Sequence, residues 1–289
     1  MKGLIVTADD FGAALPVNDA VERAHREGVL TSASLMVSAP AAADAVARAK
    51  TMPKLGVGLH LVLTEGRPVL PRRAIPSLTD EDGAFRNDMV CMSFEMVLSA
   101  DIRSQLADEI EAQFKAFAAT GLKLDHVDAH KHFHLHPVIA GLVFEIGRKY
   151  GMNAMRVPCE PAEVLRRIEP GAGGGIIERL WGRQLGRRAA AHGVWSPQWM
   201  FGLCWSGAMT AKRLAGLVAN LPEGVSEIYL HPATGPYPGS TPGYRYSEEL
   251  DALVSREVID IIEKNKIRHG RFGDFALNAH DAKVESVTP

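Results

Sequence analysis

The sequence predicts a single α/β domain built on a mainly parallel sheet. Short apolar segments alternate with amphipathic helical segments along all 289 residues, and neither a repeat nor a change of composition divides the chain. In addition, ionisable side chains stand at or just beyond the ends of several predicted strands, where parallel α/β folds place their sites. These residues are Asp9, Asp10, His60, His130 and His231.

The N-terminal half alternates predicted strands with predicted helices. The strands are short apolar or β-branched runs, and the helices have apolar residues along one face. A segment rich in proline, glycine and charged residues, 65–92, predicts a long loop. The predicted strands are 4–8, 30–37 and 55–63, with an extended segment from 122 into a histidine cluster, and the predicted helices are 18–27, 41–50 and 98–120.

The C-terminal half continues the alternation. The glycine-rich segment 171–175 lacks the Lys-Ser/Thr of a phosphate loop and is interpreted as a connector. Residues 194–205 carry three of the four tryptophans without a clear period, so a substrate lid, a subunit interface and core packing all stay open. The predicted helices are 138–150, 176–191, 210–219 and 246–264, the predicted strands are 154–158, 225–230 and a short one near Ile267, and 278–289 is a polar tail.

Composition and charge narrow the class of protein. Hydrophobic residues make up 46% and charged residues 23%, as in soluble globular proteins, and the net charge of -2 argues against a nucleic-acid partner. Three separated cysteines favour neither a disulfide framework nor a thiolate zinc site. The acidic pair Asp9-Asp10 lies too close to the N-terminus to leave room for the apolar region of a signal peptide. No apolar run approaches the roughly 20 residues of a membrane span. We therefore expect a cytoplasmic protein. The basic helix 176–191 is either a solvated face or a contact with an acidic membrane surface.

A histidine cluster concentrates the chemistry of the chain. Residues 125–137 contain five of the eleven histidines and two aspartates. In an extended strand alternate side chains share a face, and neutral imidazoles are common ligands of transition metals. The sequence therefore predicts one wall of a metal site, with one face formed by His126, Asp128, His130, His132 and His134.

The strand-end residues predict hydrolytic chemistry. One carboxylate and two imidazoles leave open positions on a divalent ion, as in a catalytic site. The ion activates water and polarises a carbonyl, a second acid can act as general base, and a histidine can protonate a leaving group. His60 alone is equally well explained as a hydrogen-bonded core histidine. Arg156, the only charge of the predicted strand 154–158, is expected either to bind a substrate oxygen or to form a surface ion pair.

Four motifs carry a family resemblance. Residues 7–12 (TADDFG), 58–61 (GLHL), 128–134 (DAHKHFH) and 230–233 (LHPA) resemble, in the same order, the signatures of the YdjC-like carbohydrate deacetylases. Residues 62–71 and 83–86 further resemble the hopanoid-biosynthesis subgroup, the HpnK-type proteins. The resemblance implies an irregular (β/α) barrel, a single deacetylase domain over 1–277, that removes the acetyl group from an N-acetylated amino sugar with one divalent metal ion.

Carried over to this sequence, the resemblance assigns roles to individual residues. Asp10, His60 and His130 become the metal ligands. Asp9 becomes the general base, and His231 assists protonation of the leaving amine. His132 and His134 also match the family pattern and are expected to contact substrate or to support the ligands. Ala129 and Lys131 depart from the family pattern, and neither replaces a proposed ligand.

The resemblance and the ligand chemistry leave several points open. Zinc is expected first, while magnesium, nickel and cobalt also suit the ligands. The subgroup implies an N-acetylglucosaminyl hopanoid glycolipid as substrate, with peripheral membrane contact, and the family implies a homodimer. The alternatives are a deacetylase of soluble chito-oligosaccharides, a metal-dependent phosphoesterase, or a non-catalytic metal-containing protein that binds sugar or lipid. A second acid beside the metal ligands argues against the last of these.

Overall fold

A sheet of parallel strands forms the centre of the computed structural model, which describes residues 2–173 and 175–277. The strands are β1 (Lys2–Phe11), β2 (Ser32–Leu35), β3 (Gly56–Leu61), β4 (Val127–Ala129), β5 (Trp199–Phe201), β6 (Gly224–Leu230) and β7 (Arg268–His269). Their order in the sheet is β4-β3-β2-β1-β6-β5, and β7 also pairs with β1. All these pairs are parallel and the sheet curls into a half-barrel, so the predicted α/β fold class is confirmed.

Helices flank the sheet. They are α1 (Leu15–Glu27), α2 (Ala42–Lys50), α3 (Met89–Leu98), α4 (Ala100–Ala119), α5 (Pro137–Lys149), α6 (Ala162–Ile168), α7 (Ile176–Ala191), α8 (Ala211–Ala219), α9 (Tyr246–Leu253) and α10 (Arg256–Lys264). Among the residues that the structure describes, no helix combines the length and apolar character needed to cross a bilayer.

β1 is the buried strand at the centre of the sheet. Every residue of this strand after Lys2 is buried, and its neighbours are β2 on one side and β6 on the other. A strand covered on both faces requires a nearly continuous apolar run, which is the pattern that predicted it. Because β1, β3, β4 and β6 run in parallel, their carboxyl ends lie at the same edge of the sheet.

The histidine cluster is not an extended strand, and this prediction was wrong. β4 ends at Ala129, and His130–Leu135 forms a 3₁₀ segment. Inside that segment Lys131 and His132 have φ values of 54° and 53°, in the left-handed region. Two successive left-handed residues turn the chain away from the strand and end the alternation of side chains. The histidines beyond Ala129 therefore do not alternate along one face of a strand.

Other elements differ from prediction in smaller ways. The predicted loop 65–92 ends in α3, and the predicted C-terminal helix 246–264 is broken between α9 and α10. The predicted strand 154–158 forms only isolated parallel bridges, from Ala154 to Trp195 and from Met155 to Val127. Gly174 of the predicted connector and the predicted tail 278–289 lie outside the described residues, so the domain boundary at 277 stays a prediction.

The tryptophan-rich segment packs against the protein. Trp195 stacks on Phe275, with ring centroids 6.2 Å apart, and Trp205 is buried beneath the guanidinium of Arg213. Trp199 lies in β5 and donates its Nε1–H to the backbone oxygen of Glu223. Of the three interpretations that the sequence left open, these contacts favour core packing.

Candidate active site

Three side chains with metal-binding atoms meet at the carboxyl edge of the sheet. Asp10 belongs to β1, His60 belongs to β3, and His130 follows directly after β4. His60 Nε2 lies 3.4 Å and His130 Nδ1 lies 3.3 Å from the same atom, Oδ1 of Asp10. One ligand atom from each residue lies within 4.8 Å of the others, so the group could hold a metal ion. The structure thus brings together the residues predicted as ligands.

A distortion of β1 allows two consecutive acids to line the same cleft. Neighbouring residues of a regular strand point to opposite faces, yet Asp9 and Asp10 both line the cleft. Asp10 has a φ of 63°, a conformation that residues other than glycine seldom adopt. The register between β1 and β2 shifts at the same place, between Ala8 and Phe11. The two carboxylates consequently have different partners.

The unsatisfied atoms of the cluster fit a divalent cation. Asp10 Oδ1 and His60 Nε2 are buried, and neither has a hydrogen-bond partner within residues 2–173 and 175–277. Such atoms are rare in proteins and call for an explanation. The other ring nitrogen of His60, Nδ1, lies 2.9 Å from Asp128 Oδ1. Because an ionised carboxylate only accepts, Nδ1 donates, and Nε2 is the nitrogen left to bind a metal once it carries no proton.

The surrounding carboxylates attract positive charge to this position. Burial raises the pKa of Asp10, but the His130 and His60 imidazoles outweigh burial and hold this pKa well below its usual range. Burial lowers the pKa of His60, but the charge of Asp128 and the contact with Asp10 outweigh it and raise the pKa to about 10. A cation that binds at this cluster would therefore compete with protons.

Arg156 does not take the position of a substrate contact, and we correct that prediction. Its side chain is fully buried. It donates two hydrogen bonds of 2.7 Å to the two oxygens of Asp9. It also lies 2.7 Å from Asp128 Oδ2 and from Glu227 Oε1. Arg156 is therefore a buried counter-ion that orients Asp9, and it is covered by the protein on all sides.

A second group of two acids and one histidine is less suited to a metal, because the Arg156 guanidinium contacts both of its acids. Asp9, His60 and Asp128 also approach one another closely enough to hold an ion. Arg156 already supplies a positive charge to both carboxylates of this group. The first group is the better metal site, because its Asp10 Oδ1 and His60 Nε2 have no hydrogen-bond partner among the described residues.

The later histidines of the cluster have separate positions. His132 lines the cleft, and its Nε2 lies 3.1 Å from the Tyr229 hydroxyl. His134 is fully buried and its Nε2 lies 3.0 Å from the backbone oxygen of Arg156. Burial, assisted by Arg156, lowers the pKa of His132 well below its usual value, and burial lowers that of His134 to about 4. His132 therefore lines the cleft, and its contact with a substrate stays a prediction. His134 instead braces the backbone and is fully buried, so its predicted contact with substrate is corrected.

His231 lines the same cleft as the metal-ligand cluster. Its backbone N–H donates to Glu249, and its ring packs against Tyr229 and Tyr244 with centroid distances of 5.5 and 5.2 Å. Nδ1 of the ring is buried without a partner among the described residues. The cleft has a volume of about 190 Å³ and is open to solvent. Its lining residues are Asp9, Asp10, His60, His130, Lys131, His132, Leu203, Ser206, Tyr229, His231, Thr241 and Tyr244.

Two polar residues of β6, Glu227 and Tyr229, were not identified from the sequence. Glu227, Tyr229 and His231 alternate with apolar residues and so share one side of the strand. This period of two could have identified a partner for the buried arginine and a residue of the cleft. Ser206 and Tyr244, whose hydroxyls are 2.9 Å apart, come from irregular segments that carry no periodic signal.

The fold and the cluster define a class: an α/β half-barrel with an Asp-His-His group at the carboxyl edge of its strands. A family model described as YdjC-like protein matches residues 3–264. The chain belongs to the YdjC-like family.

Individual relatives agree with this membership. A carbohydrate deacetylase of Geobacillus stearothermophilus is 31% identical over 259 residues, which cover 88% of this chain and 90% of that protein. A carbohydrate deacetylase of Brevibacillus brevis is 46% identical over 147 residues, which cover 51% of this chain and 56% of the relative, little more than half of each. A crystal structure from Enterococcus faecalis V583, provisionally described as a cellobiose-phosphate cleavage protein, superposes with a TM-score of 0.75 at 27% identity, over 95% of this chain and 98% of that one.

Proposed function

We propose that the protein is a metal-dependent carbohydrate deacetylase that hydrolyses the acetamide group of an N-acetylated amino sugar. One juxtaposition carries the proposal: the Asp10-His60-His130 group lies beside a second, separately held carboxylate, Asp9. A purely structural metal site needs no such acid next to its ligands. The Geobacillus and Brevibacillus relatives, both described as carbohydrate deacetylases, support the same activity.

Asp10, His60 and His130 are the residues that would hold the ion in this proposal. A bound divalent ion supplies Lewis-acid activation of water and of the amide carbonyl. Zinc is the first expectation because two imidazoles and a carboxylate suit its preferences, while magnesium prefers an all-oxygen set.

Asp9 and His231 complete the proposed reaction. Asp9 lines the cleft with both oxygens oriented by Arg156, and it takes a proton from the attacking water. The water oxygen joins the carbonyl carbon and the carbon–nitrogen bond breaks. His231, which lines the same cleft, gives a proton to the departing nitrogen. The products are acetate and the free amino sugar.

The test is acetate release by wild type and Asp9→Asn, with metal content measured on the same samples. The substrates are an N-acetylglucosaminyl lipid and an N-acetylated chito-oligosaccharide. Because general-base catalysis contributes about 10²- to 10⁴-fold, we expect a loss of that size in Asp9→Asn at unchanged metal content. The matched control is Asp19→Asn, since Asp19 lies outside the cleft in a half-exposed pair with Arg48.

Each outcome of this test has a definite meaning. If Asp9→Asn releases acetate at the wild-type rate, Asp9 is not the general base. Metal-loaded wild type that releases acetate from neither substrate would reject the deacetylase proposal. That result would favour the alternative of a non-catalytic, metal-containing protein that binds sugar or lipid.

We further propose that the amino sugar is carried by a lipid, as the resemblance to the HpnK-type subgroup implies, and that the protein docks on a membrane to reach it. An apolar face of α3 supports this proposal. His136, which follows the 3₁₀ segment, contacts both Ser93 of α3 and Trp181 of α7, so the face adjoins the segment that carries His130. The exposed side chains of this face are Val90 (72%), Phe94 (69%), Val97 (57%) and Leu98 (83%).

Charge favours an anionic bilayer as the surface that covers this face. Trp181 is 40% exposed and Leu180 is 57% exposed on α7, and Arg183 and Arg187 of the same helix are exposed as well. Apolar side chains bordered by arginines and a half-exposed tryptophan are typical of helices that lie at a membrane surface.

Vesicle flotation tests the membrane contact separately from catalysis. We expect wild type to bind phosphatidylglycerol vesicles more strongly than phosphatidylcholine vesicles. Phe94→Ser with Leu98→Ser should lose this binding yet retain activity on the soluble oligosaccharide. Leu15→Ser, which removes another exposed leucine (54%), is the control. The proposal would be contradicted if wild type bound neither kind of vesicle. It would also be contradicted if light scattering showed that the double variant changes from dimer to monomer, because a second copy of the chain would then be what covers the apolar face.

A further inference from the structure

A buried chain of hydrogen bonds lies behind the metal-ligand cluster. Ser34 of β2 places Oγ 3.0 Å from Nε2 of His126 and 2.9 Å from Oδ2 of Asp128. Nδ1 of His126 faces Oδ2 of Asp125 at 3.3 Å. At the other end Asp128 accepts from Nδ1 of His60. Ser34, His126 and Asp128 are fully buried and stand apart from the lining of the cleft.

The single hydroxyl proton of Ser34 sets the direction of this chain. Oδ2 of Asp128 lies 2.7 Å from a nitrogen of the buried Arg156 guanidinium, which donates only, so this carboxylate acts as an acceptor. Ser34 must then donate to Asp128 and accept from the Nε2–H of His126. The last member of the chain, His60, presents to the metal-ligand cluster its other ring nitrogen, Nε2, which has no hydrogen-bond partner among the described residues.

Packing leaves His126 no alternative position. Its ring stacks on Phe272 with a centroid distance of 4.1 Å and an interplanar angle of 13°. Gly58 of β3 lies close to the same ring, because a side-chain carbon at Gly58 would come within 2.5 Å of it. Asp125, the partner of Nδ1, is itself fixed by the backbone N–H of Gly273 at 3.0 Å. The donor that serves Ser34 is therefore held rigidly.

The order Ser34-His126-Asp125 also matches that of a nucleophilic serine with its base and orienting acid. A nucleophile must reach substrate, and the Ser34 side chain is fully buried. Its hydroxyl proton is moreover directed to Asp128 and not to the imidazole. The arrangement is suited to holding other groups in place.

We propose that Ser34 and His126 are positioning residues for the metal site: together they fix Asp128, and Asp128 fixes the ring of His60. The inference rests on the metal site of the proposed function. Carboxylates that orient a histidine ligand contribute to metal affinity, and here the carboxylate is itself oriented by a serine from a different strand.

Metal affinity in three variants tests this proposal. Ser34→Ala removes the hydroxyl, Ser34→Thr retains it, and Ser32→Ala is the matched control. Ser32 lies two residues earlier on the same strand, is fully buried, and has a hydroxyl with no partner in the described part of the chain. The measurements are zinc affinity by chelator competition and the visible absorption spectrum of the cobalt-loaded protein. We expect Ser34→Ala to bind zinc about 10- to 100-fold more weakly with an altered cobalt spectrum. Ser34→Thr and Ser32→Ala should stay close to wild type.

Several results would overturn the proposal. Wild-type affinity and spectrum in Ser34→Ala would do so, and an equal loss in Ser32→Ala would show general damage to packing. If Ser34→Ala fails to fold, His126→Phe tests the same connection between Ser34, His126 and Asp128. It keeps a ring against Phe272 and removes both ring nitrogens. Unchanged zinc affinity in His126→Phe would also overturn the proposal. Wild type that binds no zinc rejects the metal site and this inference together. Wild type that binds zinc and releases no acetate rejects the proposed function alone, because the affinities of the variants still report on positioning.

Discussion

At the scale of the residue, Arg156 is the side chain that neutralises three buried carboxylates at the site. It is fully buried and contacts the carboxylates of Asp9, Asp128 and Glu227. Burial lowers the pKa of Arg156, but these three acids raise it well above its ordinary value. A buried charge is tolerated only while its partner is present. The arginine therefore maintains both the proposed base and the acid that orients His60.

Replacement of this arginine should be costly. We expect Arg156→Met to lower the free energy of unfolding by about 3–5 kcal/mol, since it leaves buried carboxylates without a counter-ion. Urea denaturation measures the change. Arg256→Met is the control, because Arg256 and Asp260 form a pair that is 74% and 56% exposed and such pairs contribute about 0–1 kcal/mol. A loss in Arg156→Met no larger than in the control would contradict this account.

At the scale of the element, β3 shows how a strand makes room for polar groups inside a sheet. Its two glycines lie against side chains that precede β4: a side-chain carbon at Gly56 would come within 2.4 Å of Asp125, and one at Gly58 within 2.5 Å of His126. Glycine within a strand lets other groups approach the backbone closely, and here the approaching groups are Asp125 and His126. The missing side chains are what allow the buried polar chain to pass behind His60.

A methyl group at Gly58 should consequently disturb both folding and metal binding. We expect Gly58→Ala to destabilise the protein by about 1–3 kcal/mol through overpacking, and to weaken zinc binding because His126 is displaced. Denaturation and chelator competition measure the two effects. Gly235→Ala is the control, since a side-chain carbon there meets no atom within 4 Å. Unchanged zinc affinity in a folded Gly58→Ala protein would argue against a link between His126 and the metal site.

At the scale of the whole molecule, the proposed metal joins elements that are far apart in the chain. Asp10, His60 and His130 come from three parallel segments, so an ion bound to all three stabilises the folded state. At a free zinc concentration 100 times the dissociation constant we expect about 2.7 kcal/mol of stabilisation, observed as a higher Tm. His60→Ala should abolish most of this shift, and His25→Ala, outside the cluster, should preserve it. A Tm independent of zinc in wild type would count against the site.

Buried glutamates should add a pH dependence to stability. Glu160 is buried, and its two oxygens accept from the backbone N–H groups of Gly202 and Cys204. Burial raises the pKa of this carboxyl, although those hydrogen bonds lower it in part. A raised pKa means that the folded state keeps a proton that the unfolded chain loses. The stabilisation is therefore present below the unfolded pKa, near 4.5, and is lost as the pH rises through the folded pKa.

Substitution of Glu160 makes this contribution measurable. Glu160→Gln has no proton to lose, so its free energy of unfolding should rise relative to that of wild type between about pH 4 and pH 8. Urea denaturation across that range gives the difference. Glu163→Gln, at an exposed position of α6, should give a flat difference. A flat difference for Glu160→Gln as well would mean that burial does not shift this group.

By itself the sequence determined the alternation of strands and helices and the positions of the strand-end acids and histidines, because periodicity and turn residues are local properties. The stripe of α4 is an example, since Ile102, Leu106 and Ile110 are buried as predicted. Only the tertiary structure decided which of these residues meet. Arg156 and Asp9, for example, are 147 positions apart in the chain. The turn after Ala129, which gives His132 and His134 different surroundings, depends on left-handed backbone that no local pattern predicts. Side-chain contacts across the sheet and strained backbone both arise from the packing of segments that are distant in the chain. No local sequence pattern predicts them, and only the tertiary structure shows them.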